Sequence, residues 1–163
     1  MNGAHLHLVI NHVPVIGLGL SVVVLALGIL RRSDDVTRAG AILLVLIALI
    51  TIPVYLTGEP AEEIVEGLPG ASDQLIHSHE DVAVWAMILI EVLGAATLAG
   101  LFVFRQKDTM PGWFAPSLLA LALVAAALVG WASYLGGEIM HQEARPGFQV
   151  QASDNAEEGD EGH

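Results

Sequence analysis

The sequence predicts an all-α integral membrane protein, an up-down four-helix bundle with both termini on the outer, periplasmic side. Three observations predict it. Apolar residues make up 54% of the 163 and charged residues only 15%, and mean hydropathy is +0.63, well above the composition of a soluble domain. The apolar residues fall in four runs, 13–30, 39–56, 82–104 and 113–135, each close to the roughly 20 helical residues that cross about 30 Å of hydrocarbon. Basic residues cluster in the first connection (Arg31, Arg32, Arg38) and the third (Arg105, Lys107), against Arg145 alone on the other side. The positive-inside rule therefore sends the termini and the second connection outward, which in a two-membrane bacterium means a multi-pass protein of the inner membrane.

Helices are expected at about 5–30, 39–66, 73–104 and 113–143, inside a transmembrane domain covering 1–148. A lipid-exposed backbone must satisfy its own polar groups, and runs of this length without dyad alternation do so as helices. The first opens on "HLHLVINHVP". It lacks the basic stretch and small-residue cleavage site of a signal peptide, so it is expected to be retained. Pro14 has two readings there. Within a continuing helix it frees the carbonyl of Ile10 and kinks the chain; alternatively Asn11 caps a helix that carries Pro14 in its first turn.

The second helix reaches residue 66 if it continues through "YLTGEPAEEIVE". The third carries Glu91 in "AMILIEVLGAA". An ionised carboxylate there costs several kcal/mol, so the group is expected to be protonated or hydrogen-bonded, to Thr51 or Thr97, as a proton relay or as a neutral brace between helices. The fourth ends in "GWASYLGGEIMH". Short connections at 31–38 and 105–112 make neighbouring helices antiparallel. Residues 149–163, rich in carboxylates, read as a disordered acidic tail.

There is no cysteine, which excludes disulfides, thiolate metal sites and cysteine nucleophiles. Any metal must use nitrogen and oxygen ligands. All of the 18 carboxylates except Asp34, Asp35, Asp108 and Glu91 fall on the outer side. A surface of that sign favours cations and argues against nucleic acid.

The seven histidines, His5, His7, His12, His77, His79, His141 and His163, are all on that side too. Counting from the inner ends at about 1.5 Å per residue puts His5, Glu62, His79, Glu80 and Glu138 roughly within one turn of a common level. Helical phase sorts them further, since residues three, four and seven apart share a face. His5 and His12 share one, with His7 pointing elsewhere; His77 and Glu80 share another, with His79 pointing away from it; Trp131, Tyr134, Glu138 and His141 form a stripe. Polar stripes that reach one end of a membrane bundle are expected to line a site.

Two metal chemistries suit such a site. A b-type haem needs two imidazoles from facing helices, and His12 or His5 against His79 or His141 supplies them. A non-haem centre uses the carboxylates: "EIMH" is a Glu-x-x-His pair and "HSHE" its mirror, the grammar of iron or manganese carboxylate bundles. Copper and zinc also fit this ligand set, which comprises His5, His12, His77, His79, Glu62, Glu80, Glu138 and His141. The leading expectation is a redox or electron-transfer protein with haem b, its partners the lipid bilayer and a respiratory complex or a cationic periplasmic electron carrier. The alternatives are a non-haem iron, copper or zinc protein and a metal-free accessory subunit of such a complex. Whether it catalyses a reaction is left open.

The blocks "NHVP", "TGEPAEE", "HSHE" and "GGEIMHQE" resemble those of a widespread family of small four-span bacterial membrane proteins of unassigned function, with the patterns NHxP, TGxPAEE, HxHE and GGxIxHxE. The resemblance covers roughly residues 4–145. It implies the four-span fold and its topology, assigns no catalytic role, and leaves the acidic tail outside. Proteins of this general shape often accompany respiratory systems, an analogy at the level of fold that favours electron transfer.

Overall fold

Four helical stretches, Gly3–Arg31, Asp34–Val65, Asp73–Val103 and Phe114–Met140, are long and apolar enough to cross a membrane. They come from a computed structural model that describes residues 3–107 and 109–148. The acidic tail expected at 149–163, with His163, lies outside the described residues. Among those described there is no strand. The first stretch consists of α1 (Gly3–Ile10) and α2 (His12–Arg31), and the second of α3 (Asp34–Leu56) and α4 (Gly58–Val65). The third and fourth are α5 (Asp73–Val103) and α6 (Phe114–Met140), and a 3₁₀ turn follows at Gln142–Ala144.

The turn between α2 and α3 takes two residues. Arg32 adopts the left-handed conformation, φ 51°, and its amide and that of Ser33 return to the carbonyls of Ile29 and Gly28 at 3.1 and 2.9 Å, closing the helix C-terminus. Ser33 then accepts from the amide of Val36 at 3.4 Å, and Asp34 and Asp35 occupy the first turn of α3, where carboxylates suit the helix dipole. For that reason the helix begins at Asp34, five residues before the apolar run that marks it in the sequence.

The helices follow one another around a ring. Gly28 lies against Thr37, and Gly40 against Leu25; Gly94 lies against Ala48 and Gly100 against the Phe114 ring; α6 closes the ring on α2. Each sequential pair is antiparallel. Lipid provides no hydrophobic drive between helices, so close backbone approach must hold them together. Gly28 makes the least yielding of these contacts, since a Cβ there would collide with the Thr37 backbone and not only with a side chain.

The centre is correspondingly small and apolar: Leu18, Leu25, Ala41, Leu44, Leu93, Ala122 and Ala125 are buried. The hydroxyls of Ser21, Thr51 and Thr97 donate to the carbonyls four residues back, at 2.8, 2.8 and 2.6 Å, so no polar group is stranded by them. Large side chains face outward instead, Leu30 at 79%, Ile16 at 69% and Phe102 at 64% exposure. A soluble monomer rarely shows so continuous an apolar exterior; a bilayer covers it. Exposed Tyr55, Trp85, Trp131 and Tyr134 lie toward one end and Trp113 toward the other, the amphipathic rings that favour headgroup levels.

The two ends differ in chemistry. At one, Arg38 donates to the carbonyls of Phe104 and Lys107 at 3.3 and 3.0 Å, and Arg105 lies 4.0 Å from the Phe102 ring centroid. Histidines and carboxylates occupy the other.

A candidate metal site at the histidine end

Two prolines shape this end. Pro14 has no amide to offer the Ile10 carbonyl, and Pro60 none to offer that of Leu56, so each helix is interrupted about two turns from its outer tip. Asn11 remains in helical conformation, φ −63° and ψ −24°, with no side-chain cap bond. The continuing, interrupted helix is thus the correct reading of "NHVP", and the Asn11 cap is not formed. The tips α1 and α4 pack against each other, with Gly3 on Pro60. His7 fills the break: its Nδ1 lies 3.1 Å from the Val54 carbonyl and 3.2 Å from Thr57 Oγ1. Thr57 Oγ1 spends its own hydrogen on Val54 and Pro53 carbonyls at 2.8 and 3.0 Å, so Nδ1–H is the donor.

α4 delivers Glu62 to the side of α5 that carries His77 and Glu80. One ligand atom from each of the three lies within 4.8 Å of the other two, and His77 Nδ1 is 3.9 Å from Glu80 Oε2. Glu62 is half-buried, while His77 and Glu80 are exposed. At the full 4.8 Å separation three atoms stand about 2.8 Å from a common centre, so a transition metal, with bonds of about 2.0–2.2 Å, draws the groups in by rotamer adjustment. Two carboxylates beside each other gain from any cation between them, and the imidazole tips the choice toward first-row transition metals over calcium or magnesium. Three protein ligands leave a position open for water or a substrate.

The remaining sequence-predicted ligands do not join this group among the described residues. His5 and His12, on α1 and α2, are exposed. His79 is half-buried on the opposite face of α5 from His77, and its Nδ1–H donates to the Ala132 carbonyl at 2.7 Å, with Gly136 leaving room beside the ring. Glu138 is buried at 6% exposure and accepts from the Tyr134 hydroxyl at 2.7 Å. His141 lies past the end of α6, with φ −99° and ψ 81°, and turns to Glu143 Oε1 at 2.9 Å. That bond, with help from the Glu143 amide, holds the Glu143 carboxyl below the usual carboxylate range.

Glu-x-x-His on α6 consequently does not project as a helical pair, because the helix stops at Met140, three residues short of the expected end. Arg145 explains the stop. Its guanidinium donates to the carbonyls of Glu138, Ile139 and Gly70 at 2.9, 2.9 and 2.8 Å, capping α6 and pinning the 66–72 loop. Deep in α5, the expected bonds from Glu91 to Thr51 or Thr97 are absent, since both hydroxyls serve their own helices; Glu91 Oε1 is buried with no partner among the described residues.

Sequence phase therefore located His77 with Glu80 and Tyr134 with Glu138, but passed over the roles of His7, Thr57 and Arg145. His7 and Asn11, four apart, were the available signal. Compared with known proteins, the chain matches no family model, no curated protein and no solved structure.

Proposed function

We propose that this protein is a multi-pass protein of a bacterial inner membrane that holds a divalent first-row transition metal at its periplasmic rim through the Glu62 and Glu80 carboxylates and the His77 imidazole. The observation that carries the reading is the convergence of those three groups, from two helices, within 4.8 Å. The basic end of the bundle supports the orientation, since Lys and Arg favour the cytoplasmic side.

The donor set favours a bare ion over the haem expected from sequence for this position. Two carboxylates with an imidazole suit iron, manganese, zinc or copper, whereas three of the four imidazoles that the sequence offers to a haem, His5, His12 and His141, are exposed. Loaded with iron or copper, the centre would exchange electrons with a cationic periplasmic carrier attracted by the acidic rim. Because binding requires deprotonated ligands, affinity falls as the pH falls.

Titration of the purified full chain in detergent with Zn(II), Mn(II) and Cu(II) tests the proposal. Glu62→Gln, Glu80→Gln and His77→Gln should each weaken binding by about tenfold or more, as loss of a ligand does. Affinity equal to wild type in all three overturns it.

A further inference from the structure

The basic end of the bundle carries a group of side chains that the histidine end does not involve. Arg38, in the second turn of α3, donates through Nη2 to the carbonyls of Phe104 and Lys107 at 3.3 and 3.0 Å, and so ties down the turn that leaves α5. Asp34, at the start of the same helix, accepts from the Met110 amide at 3.5 Å, which fastens the connection a second time. The turn held in this way presents two further cations. The Arg105 guanidinium lies 4.0 Å from the Phe102 ring centroid, and the Lys107 ammonium 5.3 Å from that of Phe104.

A ring face attracts a cation but does not neutralise it. Among the described residues the ion pairs join histidines to glutamates at the other end, and no carboxylate is paired with Arg105 or Lys107. The sequence places five cations at this end, Arg31, Arg32, Arg38, Arg105 and Lys107, against the three carboxylates Asp34, Asp35 and Asp108. Asp34 is engaged by Met110, and Asp108 lies outside the described residues. The end therefore calls for an anion from outside the chain.

The rings beside these cations say which kind. Phe102 and Trp113 are 64% and 65% exposed. Trp113 meets Phe114 edge-on, and Phe114 meets Phe104 in the same way, with centroids 5.7 and 5.3 Å apart. Arg105 on Phe102, and Lys107 on the chain of rings that ends in Trp113, thus set charge directly beside exposed aromatic surface. A free phosphate ion offers nothing to the rings, whereas a phospholipid offers a phosphodiester to the cations and acyl chains to the aromatics.

We infer that Arg105 and Lys107 bind the phosphodiester of an anionic phospholipid in the leaflet that meets the basic end, with Phe102 and Trp113 against its chains. The site shares no residue with Glu62, His77 and Glu80, so it stands whether or not those three hold a metal.

The test titrates the full chain in detergent with phosphatidylglycerol, with phosphatidylcholine and, as a soluble source of the same group, with glycerol phosphate, counting bound molecules by native mass spectrometry. Phosphatidylglycerol should bind at least about tenfold more tightly than either of the others. Each Lys or Arg near an anionic headgroup is worth about fivefold in affinity, so Arg105→Gln combined with Lys107→Gln should weaken phosphatidylglycerol binding at least about tenfold. Arg31→Gln combined with Arg32→Gln removes the same charge from the same end and should weaken it clearly less. Equal losses in the two pairs overturn the inference, because attraction would then belong to the whole end and not to a site. Equal binding of the two lipids overturns it too, as does glycerol phosphate displacing phosphatidylglycerol at equal concentration. Should the paired variants fail to fold, a chain whose one remaining tryptophan is Trp113, made by Trp85→Phe and Trp131→Phe, decides. Phosphatidylglycerol with brominated chains must quench its fluorescence more strongly than brominated phosphatidylcholine at the same mole fraction, and equal quenching overturns the site.

Discussion

The Tyr134 hydroxyl donates to Glu138 Oε1 at 2.7 Å, one turn along α6, from an exposed residue to a buried one. That bond keeps Glu138 within the architecture of its own helix and away from the rim group. Tyr134→Phe removes the donor and leaves a buried carboxyl under-satisfied. It should lower the unfolding temperature in detergent while leaving zinc affinity unchanged; a loss of affinity without loss of stability would place Glu138 among the ligands.

Close packing between α2 and α3 rests on Gly28. Gly28→Leu drives a side chain into the Thr37 backbone and should cost about 1–3 kcal/mol, the usual penalty of overpacking. Gly19→Ala, where a Cβ meets nothing within 4 Å, should be neutral. Thermal unfolding followed by circular dichroism separates the two.

Arg145 ties three carbonyls together, from α6 and from the loop that leads into α5. Arg145→Met should loosen residues 66–72 and the end of α6, read as faster amide exchange there. Because α4 reaches α5 through that loop, zinc affinity should fall with it. Unchanged exchange would show the cap to be dispensable.

Glu91 tests how the bundle tolerates a lone acid. Its Oε1 is buried without a partner among the described residues, and replacing such a group by an apolar one of similar size is commonly neutral or stabilising. Glu91→Leu should therefore fold at least as stably as wild type. Failure to fold would mean that the carboxyl braces two helices after all.

The helical layout was legible because hydropathy and length alone demand it: four apolar runs can satisfy their backbone in lipid only as helices or a barrel. Boundaries set by polar chemistry were harder to see. α3 starts at Asp34 because of Ser33, and α6 stops at Met140 because Arg145 reaches back to it, and neither residue belongs to an apolar run. At the site, helical phase paired His77 with Glu80 correctly because they lie three apart on one uninterrupted helix. It failed for His7 because the fate of that ring depends on the Thr57 break in another helix, 50 residues away in the chain. Phase predicts which residues share a face, but not which carbonyls a neighbouring helix leaves open.

The central claim is that Glu62, His77 and Glu80 grip one ion, and anomalous diffraction from crystals of the full chain loaded with zinc tests it most directly. The account predicts an anomalous peak within bonding distance, about 2.0–2.2 Å, of the His77 imidazole and both carboxylates. A map with no peak among those three side chains would contradict it.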